Sequence, residues 1–272
     1  MHRPQRPMSL SLSATVGAGA TNTADDVTAL QRALQRASDL TLDPRVHPGP
    51  ADGSCGDGTE GAIERFQRRL GFRQPDARVD PGGTTHRRLD ALLAVGEVEM
   101  AFPFRRSSTF PYEGPGAGMR AFGSRRSNGA RAHAGVDLYF PDFTDILAVA
   151  DGVVTRGPYP FYLKTFALEV DHGAFVARYG ELAPDATPPV EEGDTIARGD
   201  LVGRVGVLTR ANGKRLAVPS MMLHFEMYDK TQTGKLTRAV GTSARWTDRT
   251  PFFRRRDLID PTGFLRRAPL PA

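Results

Sequence analysis

The chain has 272 residues, a net charge of +5, 39% hydrophobic and 25% charged residues, a balance that excludes a disordered chain and supplies apolar material for an ordinary core. At about 150 residues per domain, the length suits two domains. One cysteine, Cys55, excludes an intramolecular disulfide and a Cys-rich zinc finger, no run approaches the ~18 apolar residues of a membrane span, and 29 glycines with 21 prolines favour a turn-rich, largely β chain.

His2, Arg3 and Arg6 precede Met8–Ala20, but serines and glycines make that stretch too polar for a signal-peptide core. Residues 1–22 are therefore expected to form a mobile N-terminus with no Sec signal, implying another export route. Residues 23–94 read as a small three-helix domain. Thr23 can cap a helix whose stripe is Val27, Leu30 and Leu34. After Asp57-Gly58-Thr59 the next stripe is Ile63, Phe66 and Leu70. The turn Asp80-Pro81-Gly82-Gly83 leads to Thr84, a candidate cap for a last helix carrying Leu89, Leu92 and Leu93.

Residues 95–118, rich in Pro, Gly, Phe and Arg, read as a connector. From 119 to 272 short β-type runs alternate with Gly-containing turns: Ile146–Val149, Phe166–Val170, Phe175–Tyr179, Leu201–Val205 and Met221–Tyr228. Arginine is scattered through both halves with acids nearby. The run Arg254-Arg255-Arg256 is thus expected on a solvated surface, and no nucleic-acid partner is expected.

Chemistry concentrates at two places. His133 and Asp137 are four residues apart, on one face of either a strand or a helix. Met221-Met222-Leu223-His224-Phe225-Glu226 alternates like a strand, placing Met222, His224 and Glu226 on one face. Two imidazoles and a carboxylate suit zinc, and three protein ligands leave a fourth position open, as in catalytic sites.

The ordered set Asp26–Leu34, Asp57–Gln67 and Val79–Thr84 resembles the repeated halves of the peptidoglycan-binding-domain-like family, which implies a non-catalytic murein adaptor. Phe122–Arg125, His133–Leu138, Ala148–Val154, Glu169–Gly173, Glu192–Ile196 and Asp260–Leu265 resemble, in order, the lysostaphin-type (LytM-like) zinc metallopeptidases. The two resemblances imply an α+β protein: a small three-helix bundle followed by a β-rich antiparallel-sheet domain. The family's zinc ligands fall on His133, Asp137 and His224. The reaction implied is cleavage of a peptide bond in the peptidoglycan stem or cross-link, with the cell wall as site of action.

The sequence departs from the family at two histidine positions. Met222 replaces the first His of the His-x-His strand. Glu181 replaces the His of the Tyr-x-His-Leu segment, here Tyr179-Gly180-Glu181-Leu182. Methionine neither takes a proton nor donates a hydrogen bond to an oxyanion, whereas glutamate can serve as general base. Glu181 is therefore the candidate catalytic residue. Other outcomes are a weak enzyme, a site closed by Glu181 as fourth ligand, or a cell-wall-binding protein without catalysis. His172 belongs to an Asp-His-Gly turn and reads as structural. His2, His47 and His86 are not ligand candidates, and Cys55 reads as a packed thiol.

Overall fold

The computed structural model describes residues 9–185, 187–217, 220–238, 246–247 and 250–272. Helices dominate the first third. In α1 (Ala24–Thr41), Thr23 sits at the N-cap with its Oγ1 accepting from the Asp26 N–H, and Val27, Leu30 and Leu34 are buried. The helix α2 (Asp57–Arg69) buries Ile63 and Phe66, and α3 (Thr84–Gly96) buries Leu89 and Leu92. The N-cap of α3 is Gly83, with no side-chain cap, rather than Thr84. The Asp80–Gly83 turn closes through Gly83 N–H to the Asp80 carbonyl at 2.8 Å, so the helix starts one residue past it.

Residues 9–22, expected as part of a mobile end, instead pack onto these helices. Leu10, Leu12 and Val16 are buried, and β1 (Val16–Gly17) pairs antiparallel with β2 (Arg78–Val79). The Asp26 carboxylate accepts from Ser13 N–H, Ser13 Oγ and Ala14 N–H at 2.8–3.0 Å, tying the segment to the first turn of α1. Residues 1–8 lie outside the described residues. Two buried glutamines do the same work in the two halves of this region. Gln31 donates to Asp52, the Ser54 carbonyl and Thr59, and accepts from Gly53 N–H. Gln67 donates to Asp76, the Arg78 carbonyl and Thr85, and accepts from Asp76 and Ala77 N–H. Each amide satisfies the backbone of a turn that has no ladder of its own. Cys55 is half-buried against the core.

The remainder is β-rich and antiparallel. Its strands in chain order are β3 (Arg125–Arg126), β4 (Arg131–Ala132), β5 (Val136–Tyr139), β6 (Asp145–Leu147), β7 (Gly152–Pro160), β8 (Phe166–Asp171) and β9 (Val176–Leu182). There follow β10 (Thr195–Ile196), β11 (Leu201–Arg204), β12 (Gly206–Val207), β13 (Met221–Tyr228), β14 (Trp246–Thr247), β15 (Thr250–Pro251) and β16 (Leu258–Ile259). Among the described residues the main sheet runs β10-β7-β8-β9-β13-β12, with β5 and β16 also paired to β13. In β13, His224 faces Asp137 of β5 across one edge and Gly180 of β9 across the other.

One apolar cluster runs through both regions. The connector takes part: Phe102 and Phe104 are buried, and Phe104 stacks on Phe140 at 3.7 Å between ring centres. The last helix, α4 (Thr262–Arg267), packs on α1 so closely that a Cβ on Gly263 would meet the Leu40 carbonyl oxygen at 2.0 Å. Of the run Arg254–Arg256 only Arg256 lies on a solvated surface. Arg255 is buried against Asp257, and Arg254 reaches Glu226, because the segment folds back beneath β13 and its charges find carboxylates there. Arg88 of α3 forms a buried ion pair with Asp229 at the end of β13, 2.7 Å apart.

Two stability predictions arise. Arg88→Met leaves the Asp229 carboxylate buried without its cation and should lower the unfolding free energy by about 3–5 kcal/mol. Pairing it with Asp229→Leu should restore much of that loss in urea unfolding, and an unchanged midpoint in the single variant contradicts the assignment. His172 is buried, donates from Nδ1 to the Asp151 carbonyl at 2.9 Å and accepts at Nε2 from Tyr179 OH at 3.1 Å. Burial lowers its pKa from 6.5 to about 4, against the pull of the Asp151 carbonyl. The folded state thus binds this proton more weakly than the unfolded chain, so the stabilisation is complete above about 6.5 and is lost as pH falls towards 4. His172→Gln should lose less stability over that window than the wild type, and equal losses contradict the account.

Candidate metal centre

Backbone pairing builds the site. β13 and β5 set His224 and Asp137 directly opposite one another, and β4 runs straight into His133. Gly135, between His133 and Asp137, has no room for a side chain: a Cβ there would meet the Phe225 carbonyl oxygen at 2.2 Å. That close approach brings the His133–Asp137 segment against β13.

Among the described residues, His133, Asp137 and His224 form a group whose ligand atoms all lie within 4.8 Å of one another. The His133 Nε2 and Asp137 Oδ1 are 3.0 Å apart, Asp137 Oδ1 and His224 Nδ1 2.9 Å, and His133 Nε2 and His224 Nδ1 3.0 Å. A tetrahedral zinc ion with bonds of about 2.0–2.1 Å places its ligand atoms roughly 3.3 Å apart. The donor set and its spacing fit that ion.

Each of the three residues has its other polar atom engaged elsewhere. His133 Nδ1 donates to the Ala121 carbonyl at 2.9 Å, which leaves Nε2 facing the group. Asp137 Oδ2 accepts from Arg126 Nη2 at 2.9 Å. His224 Nε2 donates to Glu226 Oε1 at 2.9 Å, which leaves Nδ1 facing the group. Such outer partners fix ring orientation and tautomer at metal sites. Glu226 is fully buried and also accepts from Arg178 Nη1 at 3.0 Å, Arg254 Nε at 2.9 Å and Tyr228 OH. Burial opposes its charge, but the two guanidiniums prevail and hold the carboxyl well below its usual range.

The electrostatics of the group are tightly shared. Burial opposes the charge on Asp137, but the two histidines hold it far below the ordinary carboxylate range. Burial likewise opposes a charge on His224, whose bonds to Asp137 and Glu226 push it up to about 9. For His133 burial outweighs the nearby Asp137, and its pKa is lowered.

Glu181 is buried, at a left-handed φ of 64°, and stands outside the three-atom group. Its Oε2 has no hydrogen-bond partner among the described residues. Burial first, and then the charge of Asp137, raise its pKa to about 8 against the opposing influence of His224 and Arg126. Met222 is buried, paired with Tyr139 of β5 and Gly206 of β12, and offers no group that moves a proton. His172 lies away from the group, in its own bonds to Asp151 and Tyr179. His47 and His86 bond locally in the helical region, to Gly49 N–H and to Gly82 N–H respectively, and His2 is outside the described residues.

Sequence reasoning missed Arg126, Phe161 and the role of Glu226. Phe161 lies over His224 with ring centres 6.1 Å apart, in the space left by Gly180, where a Cβ would meet Phe161 Cε1 at 2.9 Å. For Glu226 the signal was present, since strand alternation already put it on the face of His224. For Arg126 and Phe161 no local pattern carried one.

Residues 131–235 match the model of the family described as "Peptidase family M23", and residues 23–82 that of "Putative peptidoglycan binding domain". Similar solved structures include one titled "putative peptidase M23" from Pseudomonas aeruginosa, 19% identical over 62% of this chain and 51% of that one, TM-score 0.36. Lysostaphin from Staphylococcus simulans is 15% identical over 64% of this chain and 52% of that one, TM-score 0.34. A zinc-containing peptidase from Vibrio cholerae is 21% identical over 47% and 37%, TM-score 0.33. This chain spans about half the length of the first two. No curated protein sequence gives a significant match. In order along the chain, one segment is thus similar to the peptidoglycan-binding family and a second to peptidase family M23, the two resemblances that the sequence patterns carry.

Proposed function

We propose that the protein is a peptidoglycan-directed zinc metallopeptidase that cleaves a peptide bond of the murein stem or cross-link, with the helical region holding it on the wall. The observation that carries this reading is the convergence of His133 Nε2, Asp137 Oδ1 and His224 Nδ1 at 2.9–3.0 Å, each turned inward by a separate partner. These three residues would hold the metal. Zinc held there supplies a Lewis acid for a peptide carbonyl and for the activation of water.

The protein's own groups do the rest. Glu181 is the candidate general base: its carboxyl is buried near Asp137 and His224 yet outside their group, a placement that favours a role through water over one as fourth ligand. Its raised pKa keeps it protonated at neutral pH without the metal, and the positive charge of zinc would favour the carboxylate form that a base needs. Arg126 holds Asp137 through Oδ2 and so presents Oδ1. The peptidoglycan-binding segment and the peptidase segment together support murein as partner and substrate and the cell wall as site of action. The second reading, a wall-binding protein without catalysis, is favoured by Met222, which puts an apolar side chain where the family has a histidine. No helix of the described residues is long and apolar enough to cross a membrane.

Zinc content and release of soluble fragments from purified murein, measured on the same preparations, test the reading. Glu181→Gln should keep zinc and lose about 10² to 10⁴ in rate, while Met222→His should raise the rate. Full activity in Glu181→Gln removes the base assignment, and a wild type that holds zinc but leaves murein intact favours the second reading. Glu226→Gln should weaken zinc affinity by about 10- to 100-fold in a chelator competition. An unchanged affinity in a folded variant would show that His224 needs no outer partner.

A further inference from the structure

The hairpin that leads into His133 carries an unbalanced charge. β3 and β4 pair with Arg126 directly opposite Arg131. Like charges in that relation repel, and the hairpin is held against them by the backbone bonds between Gly123 and His133 and between His133 and Ser124, both 2.8 Å. Directly opposed residues share a face of the hairpin, and so do Arg131 and His133, two positions apart on one extended segment. The face is the one towards the metal ligands, because Arg126 reaches Asp137 Oδ2 at 2.9 Å and His133 supplies Nε2 to the group.

The two arginines differ in what neutralises them. Arg126 is paired with Asp137, and the third guanidinium nearby, Arg254, is paired with Glu226. Arg131 has no carboxylate partner among the described residues, and its Nε reaches only Ser127 Oγ at 3.5 Å. Arg131 is exposed, and Tyr162 is 49% exposed, so an incoming group can reach both.

We propose that Arg131 is a specificity residue that binds a free carboxylate of the peptide substrate beside the metal centre, so that the preferred substrates are acidic peptides. The inference rests on the reading of this site as one for murein peptides. A carboxylate beside Arg131 would relieve the repulsion with Arg126 and match the planar guanidinium fork with two parallel hydrogen bonds.

The test is binding to the zinc-loaded full-length protein, which does not depend on turnover. The probes are a soluble muropeptide with free carboxylates and the same muropeptide with those carboxylates amidated. The wild type should bind the acid form about 10- to 100-fold more tightly, the usual worth of a hydrogen bond to a charged group. Arg131→Gln should bind both forms equally, and Arg131→Lys should recover part of the preference. An acid-to-amide ratio that is the same in wild type and Arg131→Gln overturns the proposal. With inorganic polyphosphate as a third probe, a loss in Arg131→Gln confined to that probe also overturns it and would make the arginine a contact for wall polyanions. Retained discrimination by a protein that never cuts murein would sink the catalytic reading and leave this one standing.

Discussion

The register of β13 is the constraint from which the site derives. With His224 opposite Asp137 on one edge and Gly180 on the other, a single strand fixes two side chains of the candidate metal centre and the start of the Glu181 segment. A slip of one residue would turn His224 to the opposite face of the sheet and put Phe225 in its place. The buried faces prevent that slip, since Leu223, Phe225 and Met227 fill the core on one side while Met222, His224 and Glu226 face the other.

Placing histidines, carboxylates and arginines in a buried layer has a cost that the surrounding charges offset. Glu226 takes two guanidiniums, and one of these, Arg178, also binds Glu169, which accepts from Tyr159 OH at 2.6 Å. Removal of one member would strand a buried charge, so the set stands or falls together. Its function is mechanical as much as electrostatic, because it holds the far nitrogen of His224 and thereby aims the near one. Arg254 enters this layer from beyond the segment matched to the peptidase family, so the C-terminal segment is part of the site's support. The helical region is joined to the same strand from its other end through Arg88 and Asp229.

Much of this was legible in the sequence, and the reasons for the rest are physical. The grouping of His133, Asp137 and His224 could be read because the family pattern is ordered along the chain and strand alternation is strict. The runs at Phe166–Val170 and Met221–Tyr228 correspond to β8 and β13 for the same reason. The burial of Arg254 and Arg255 could not be read, since a basic triplet looks solvated until the carboxylates it meets, 28 residues away in the case of Glu226, are known. Residues 9–22 look mobile because serines and glycines hide three apolar anchors, and their order depends on a long-range pairing between Val16 and Val79. The backbone of Glu181 was equally hidden. Its positive φ accompanies the register shift between β8 and β9 at Phe166 and Ala167, a feature of two strands together.

Crystals of the zinc-loaded full chain, measured for anomalous scattering at the zinc edge, test the central claim most directly. The account predicts one peak per chain within bonding distance of His133 Nε2, Asp137 Oδ1 and His224 Nδ1, with the Glu181 carboxylate near but not bonded. No peak at this group, or a zinc closed by direct bonding to Glu181, would contradict it.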